Sequence, residues 1–158
     1  EGEVGKFGTD ASRVYKEKFE IKEEDLTTVA GAKKYMQETG VDMLAVGIGT
    51  FHGIDATGVS PNLRLDRLEE LHMAVDVPFV LHGGSGTPEE DIKKAIERGI
   101  VKININTESR VAFSNALRKT LQANPEEVVP YKYLPEAIEA VRQVAEKYIK
   151  LLGSIDKI

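Results

Sequence analysis

The chain contains no cysteine and no tryptophan, few aromatics of any kind, and no apolar run near the roughly 20 residues that a membrane-spanning helix needs. Without cysteine there are no disulfides and no thiolate ligands, so any transition-metal site must be built from histidine and carboxylates. Basic residues do not predominate either. Lys and Arg number 21 against 26 Asp and Glu, for a net charge of −5 with the signs interspersed. That excludes the basic stripe of a nucleic-acid binder, and any phosphate must be held by a local site. No secretory leader is visible, and the opening Glu1 in place of Met leads us to expect that the numbered chain is not a complete gene product. What remains is ordinary: 158 residues, 41% hydrophobic and 30% charged, enough for one soluble domain with a core.

The most informative stretch is "FVLHGGSGTPEED", residues 79 to 91. Phe79, Val80 and Leu81 have the character of a buried strand, which stops at His82 and a run of small residues. Thr87 as N-cap, Pro88 as first helical residue and the glutamates behind it predict a helix start. Gly83, Gly84 and Gly86 would let backbone N–H groups approach a ligand, and Ser85 adds a hydroxyl beside a positive helix N-terminus, a seat suited to phosphate.

Three further segments read as strands: 1 to 5 ("EGEVG"), 43 to 53 ("MLAVGIGTFHG") and 101 to 107 ("VKININT"). Between and after them, apolar spacing predicts helices over 32–38, 63–74, 91–98, 109–122 and 135–152, several closed by glycine. Alternating strand and helix requires a parallel sheet, either open or half of an eight-stranded barrel; both place ligands at the C-terminal strand ends. Residues 6 to 28 form a long charged connection, of a length usual for active-site covers or mobile surface.

Two histidines follow matching strands, each preceding a glycine: His52 with Gly53 and His82 with Gly83. Neutral imidazoles on one rim suit zinc, whose catalytic sites take three protein ligands and keep a position open. His72 falls late in a helix, where it would meet the helix C-terminus. A two-residue period in the last strand puts Lys102, Asn104 and Asn106 on one face and Val101, Ile103 and Ile105 on the other. Asn104 would bond a substrate hydroxyl, and Thr107 would offer a hydroxyl and backbone N–H groups to phosphate. A buried Lys102 would allow Schiff-base chemistry; more in keeping with the histidine pair, it sits lower in the interior against a carboxylate, one on an absent part of the chain included. Glu1 and Glu3 share a face of the first strand, and either would reach a metal or a site cation.

With "GIGTFHG", "FVLHGGSG", "KININTE" and "LLGSIDKI" in that order, the sequence resembles the class II, zinc-dependent fructose-bisphosphate aldolases and their tagatose-bisphosphate relatives over nearly its whole length. The resemblance implies a (β/α)₈ barrel of which residues 1–158 are the C-terminal half, strands five to eight, as a single incomplete domain. It implies zinc, or another divalent metal, on His52 and His82, with Glu3 at an alternative metal position and a monovalent cation nearby. Gly53, Gly83, Gly84, Ser85, Asn104, Asn106 and Thr107 would hold the ketose phosphate and its dihydroxyacetone moiety. The implied reaction is reversible cleavage of a ketose 1,6-bisphosphate to two triose phosphates by a cytoplasmic homo-oligomer, dimer or tetramer. The family's third zinc histidine and proton-transfer aspartate lie on a strand absent here, so the N-terminal half of the barrel is an expected partner and the isolated chain is expected to be inactive. The loop acid is left among Asp10, Glu17 and Glu20, and Tyr131 stands where the family often has an arginine toward a neighbouring subunit's phosphate. A non-catalytic phosphate-binding half barrel and a Lys102 Schiff-base aldolase are the competing readings.

Overall fold

A computed structural model describes residues 1–7, 14, 16, 18, 20–54, 57 and 60–157, which fall into two compact units, Glu1–Ile105 and Asn106–Ile158. The first unit is α/β. Its strands β1 (Gly2–Val4), β2 (Leu44–Val46), β3 (Phe79–Leu81) and β4 (Ile100–Ile103) form one parallel sheet in sequence order. Between them run helices α1 (Val29–Thr39), α2 (Leu65–Ala74) and α3 (Glu89–Ile96). Parallel strands joined in order through helices are the repeating unit of a (β/α)₈ barrel, here four strands of it.

The helices form for local reasons. Thr28 caps α1 by accepting the Gly31 N–H at 3.0 Å, and Gly40 ends it in the left-handed conformation at φ 64°. The start of α3 differs from the sequence expectation. Pro88 flanks the helix without a side-chain cap, the Thr87 hydroxyl is buried with no partner among the described residues, and the Thr87 N–H turns back to the Gly84 carbonyl at 3.2 Å. The three acids at the head of α3 favour its positive end, and Asp91 accepts the Leu63 N–H at 2.9 Å, tying α3 to the approach to α2.

The two faces of the sheet are distinct. Leu44, Val46, Phe79, Leu81 and Ile100 pack with Ala32, Leu68, Leu71 and Ala95 of the helices into the main core, with Val4 and Ile103 against it. Gly2 belongs to this face because the Tyr35 ring occupies the space a side chain would take, within 2.5 Å of a Cβ position. Glu3, Ala45, Val80 and Lys102 lie in one row of the register, on the opposite face. Lys102 reaches that row through an irregularity in β4: Phe79 pairs with Ile100 but Val80 pairs with Lys102, so Val101 is an extra, exposed residue. A strict two-residue period, as read from the sequence, would have put Ile100 and Lys102 on one face.

The strands are also shorter than the sequence suggests. β2 ends at Val46, six residues before His52, because the following Gly47 and Gly49 (φ 106°) leave the ladder. β4 ends at Ile103, so Asn104 and Asn106 are exposed and lie beyond the strand.

The second unit is helical: α4 (Thr107–Ala123), a short α5 (Pro130–Tyr133) that the apolar pattern did not announce, and α6 (Pro135–Leu151). Its long helices pack together, with the Tyr148 hydroxyl donating to Glu108 and the Lys147 ammonium 3.3 Å from the same carboxylate. Tyr131 is 77% exposed on α5. Among the described residues no helix is long and apolar enough to cross a membrane.

A candidate metal centre at the strand ends

Position along the chain and side-chain chemistry converge where β1, β2 and β3 end. Glu3 lies on the inner face of β1, and His82 immediately follows β3. His52 is not a strand-end residue, as the sequence suggested; it sits on the loop beyond β2. Its N–H donates to the Phe7 carbonyl at 2.7 Å and its ring stacks on Phe7 with centroids 5.6 Å apart. Phe7, almost fully buried, also meets His82 at 5.7 Å, so one aromatic ring underlies both imidazoles. The single aromatic in "GKFGTD" was the only sequence hint of this residue, and periodicity gave it no role.

Glu3, His52 and His82 each offer one ligand atom, all within 4.8 Å of one another. Two imidazoles and a carboxylate at that separation are a donor set suited to zinc or a similar divalent ion, with no thiolate needed. Burial pushes the His52 pKa down, Glu3 opposes that and His82 adds to it, so His52 favours the neutral form that binds metal.

His82 has a carboxylate on either side. Its Nδ1 is in hydrogen-bond contact with Glu3, and its Nε2 lies 2.8 Å from Glu1 Oε1. The other Glu1 oxygen accepts from Lys102 Nζ at 2.6 Å, and this bond, ahead of the one to His82, lowers the Glu1 pKa. Lys102 thus pairs with a carboxylate, as the sequence suggested. Its side chain is 46% exposed, and its carboxylate partner is Glu1 of this same chain.

The glycine-rich loop after β3 is packed against protein. Gly83 adopts φ 65° with the Phe51 backbone in its side-chain space, and Gly84 lies against Ile103 and Ile105. Ser85 is buried and its carbonyl accepts the Ser60 hydroxyl at 3.0 Å, while Ser60 N–H donates to the Gly86 carbonyl at 2.9 Å. Gly53, also buried, holds φ 117°. Asn104 donates its backbone N–H to the Leu81 carbonyl at 3.0 Å, leaving an exposed side chain just past β4. Asn106 and Thr107 open the second unit, Asn106 flanking α4 and Thr107 buried in its first turn. His72 turns its ring edge to Phe79 at 6.1 Å and lies over Gly99, away from the centre. Of the loop acids, Glu20 is exposed, and Asp10 and Glu17 lie outside the described residues.

Sequence reasoning missed Thr27. Buried after a 3₁₀ turn (Glu23–Asp25), it donates its hydroxyl to the Val4 carbonyl and accepts the Gly47 N–H at 2.7 Å, joining the ends of β1 and β2. Arg67 of α2 donates to the Thr27 carbonyl at 3.0 Å and pairs with Glu23, which also meets Arg64 at 3.0 Å.

Known proteins share this fold. The family model for class II fructose-bisphosphate aldolase matches residues 1–157. Among solved structures, the YdjI aldolase from Escherichia coli K12 is 37% identical with a TM-score of 0.70, covering 84% of this chain and 46% of that one. A protein from Coccidioides immitis assigned as a fructose-1,6-biphosphate aldolase is 26% identical with a TM-score of 0.69, covering 93% of this chain and 52% of that one. Fructose-bisphosphate aldolase from Campylobacter jejuni, 22% identical with a TM-score of 0.66 over 84% of this chain and 46% of that one, matches in fold. The chain spans about half the length of these solved relatives. Its parallel sheet, its histidine pair beyond β2 and β3 and its match along residues 1–157 place the chain in the class II fructose-bisphosphate aldolase family.

Proposed function

We propose that residues 1–158 form the C-terminal half, strands five to eight, of a barrel enzyme that reversibly cleaves a ketose 1,6-bisphosphate, foremost fructose 1,6-bisphosphate, to dihydroxyacetone phosphate and glyceraldehyde 3-phosphate. The observation that carries this reading is the convergence of Glu3, His52 and His82 within 4.8 Å at the strand ends. A divalent ion held by these residues, zinc before others, would supply Lewis-acid stabilisation of charge developing on the ketone oxygen during carbon–carbon cleavage.

The chain's own residues do the rest of the work assigned to this half. Phe7 packs against both imidazoles, and burial lowers the His52 pKa, which favours its metal-binding neutral form. Ser85 with the backbone of Gly53, Gly83 and Gly84, together with Asn104, is assigned to orienting the phosphate and the dihydroxyacetone hydroxyls. A third zinc histidine and the aspartate that moves the proton are assigned to the N-terminal half of the same barrel, in a cytoplasmic homo-oligomer. The pairing of Lys102 with Glu1 favours the metal route over a Schiff base.

The test is triose phosphate release from fructose and tagatose 1,6-bisphosphates by the whole enzyme, with and without a chelator. Release that the chelator abolishes and zinc restores supports the proposal, and the faster substrate fixes the stereochemistry. Chelator-resistant turnover with borohydride trapping on Lys102 would replace it with the Schiff-base route. Residues 1–158 expressed alone are expected to bind zinc weakly and to release no triose phosphate; metal-dependent turnover by that segment would refute its assignment as half a site.

A further inference from the structure

Glu1 has a carboxylate divided between two partners. One oxygen is 2.8 Å from His82 Nε2 and the other 2.6 Å from Lys102 Nζ. We infer that Glu1 is a positioning residue, anchored by Lys102, which takes the Nε2–H of His82 and so leaves Nδ1 as the nitrogen that meets the metal. The inference rests on the metal reading above and goes beyond it, because Glu1 lies outside the three-donor cluster.

Three observations carry it. Both ring nitrogens of His82 face a carboxylate, which only accepts, but only Nδ1 faces Glu3, a member of the three-donor cluster with His52. A metal in that cluster takes Nδ1 and leaves the ring's N–H on Nε2, where Glu1 accepts it. The anchor is built into the sheet: the irregularity at Val101 places Lys102 in the register row of Glu3, on the face that Glu1 shares by alternation. Carboxylates behind a metal-bound histidine fix its tautomer and raise its basicity, and removing one typically weakens metal binding about 10–100-fold.

The experiment measures zinc affinity by competition with a chromophoric chelator in the whole enzyme and in Glu1→Gln, Lys102→Met, Lys102→Arg and His82→Ala variants. It is paired with ¹⁵N spectra of the imidazoles in the zinc-loaded protein. Glu1→Gln is expected to lose about 10–100-fold in affinity. Lys102→Met should lose less and Lys102→Arg should restore most of that loss. The wild-type spectrum should show His82 protonated at Nε2 and coordinated at Nδ1. A role confined to stability would lower the denaturation midpoint without moving the tautomer or the affinity. Unchanged affinity in Glu1→Gln, or an unprotonated His82 Nε2, overturns the inference while leaving the metal site intact. If wild type and His82→Ala bind zinc equally, the metal reading falls and this inference with it. Should Glu1→Gln fail to fold, the wild-type spectrum and the Lys102 pair decide.

Discussion

Gly83 yields its side-chain space to the backbone of Phe51: a Cβ there would come within 2.6 Å of the Phe51 carbonyl carbon and closer still to its oxygen. Each of these residues adjoins a histidine of the metal centre, His82 before Gly83 and His52 after Phe51. The close approach of the two loops is therefore what brings the imidazoles together, with centroids 5.8 Å apart.

Gly83→Ala is accordingly expected to damage the site through the fold. The backbone holds φ 65°, and the added carbon meets backbone that has no flexible end to move. Left-handed strain and overpacking together predict a loss of about 2–4 kcal/mol, read by urea denaturation. Zinc affinity should drop in parallel; a variant of wild-type stability with only a raised KM would show that the glycine serves ligand approach alone and not the packing of the two loops.

Thr27→Val keeps the shape of a buried side chain but removes both bonds of its hydroxyl. The Gly47 N–H and Val4 carbonyl then keep only their direct bond to each other at 3.2 Å across the junction of β1 and β2. A loss of about 0.5–1.5 kcal/mol is expected from the denaturation midpoint. No change would mean that the direct bond suffices there.

Replacing His52 or His82 by Ala should remove bound zinc and essentially all turnover of the whole enzyme while leaving the far-ultraviolet circular dichroism intact. Both imidazoles lie at the rim of the sheet rather than in the main core, so the stability change should stay below about 1.5 kcal/mol. Metal analysis of purified variants decides it, and full zinc occupancy in either variant would remove that residue from the site.

The pH dependence of metal-free stability should carry the signature of His52. Its folded pKa is lowered by burial, so the unfolded chain binds the proton more readily than the folded one. Stability from this group is complete above the unfolded value of about 6.5 and declines as pH falls below it, down through the lowered folded pKa. Denaturation midpoints measured across that window should fall more steeply in wild type than in His52→Asn; identical slopes would show that His52 titrates alike in both states.

Much of this architecture was legible in the sequence because local chemistry dictates it. The helices expected over 32–38 and 63–74 form as Val29–Thr39 and Leu65–Ala74, the first closed by Gly40 as read; the strand at 79–81 is a short run of apolar side chains that stops where the small residues begin. His52, His82 and Glu3 were legible as candidate ligands by residue type and by lying in or after successive parallel strands, but the loop that carries His52 to the others was not. Tertiary structure alone decided the rest. An extra residue in β4 has no compositional signature, yet it turns Lys102 onto the face of Glu1, across 101 residues of sequence. Phe7 lies under both histidines, and Thr27 ties the end of β1 to that of β2, through long-range contacts that no local pattern announces. Side-chain type names the chemistry available to a chain, whereas the choice of partner depends on register and loop closure, which are settled by the free energy of the whole fold and not by any window of sequence.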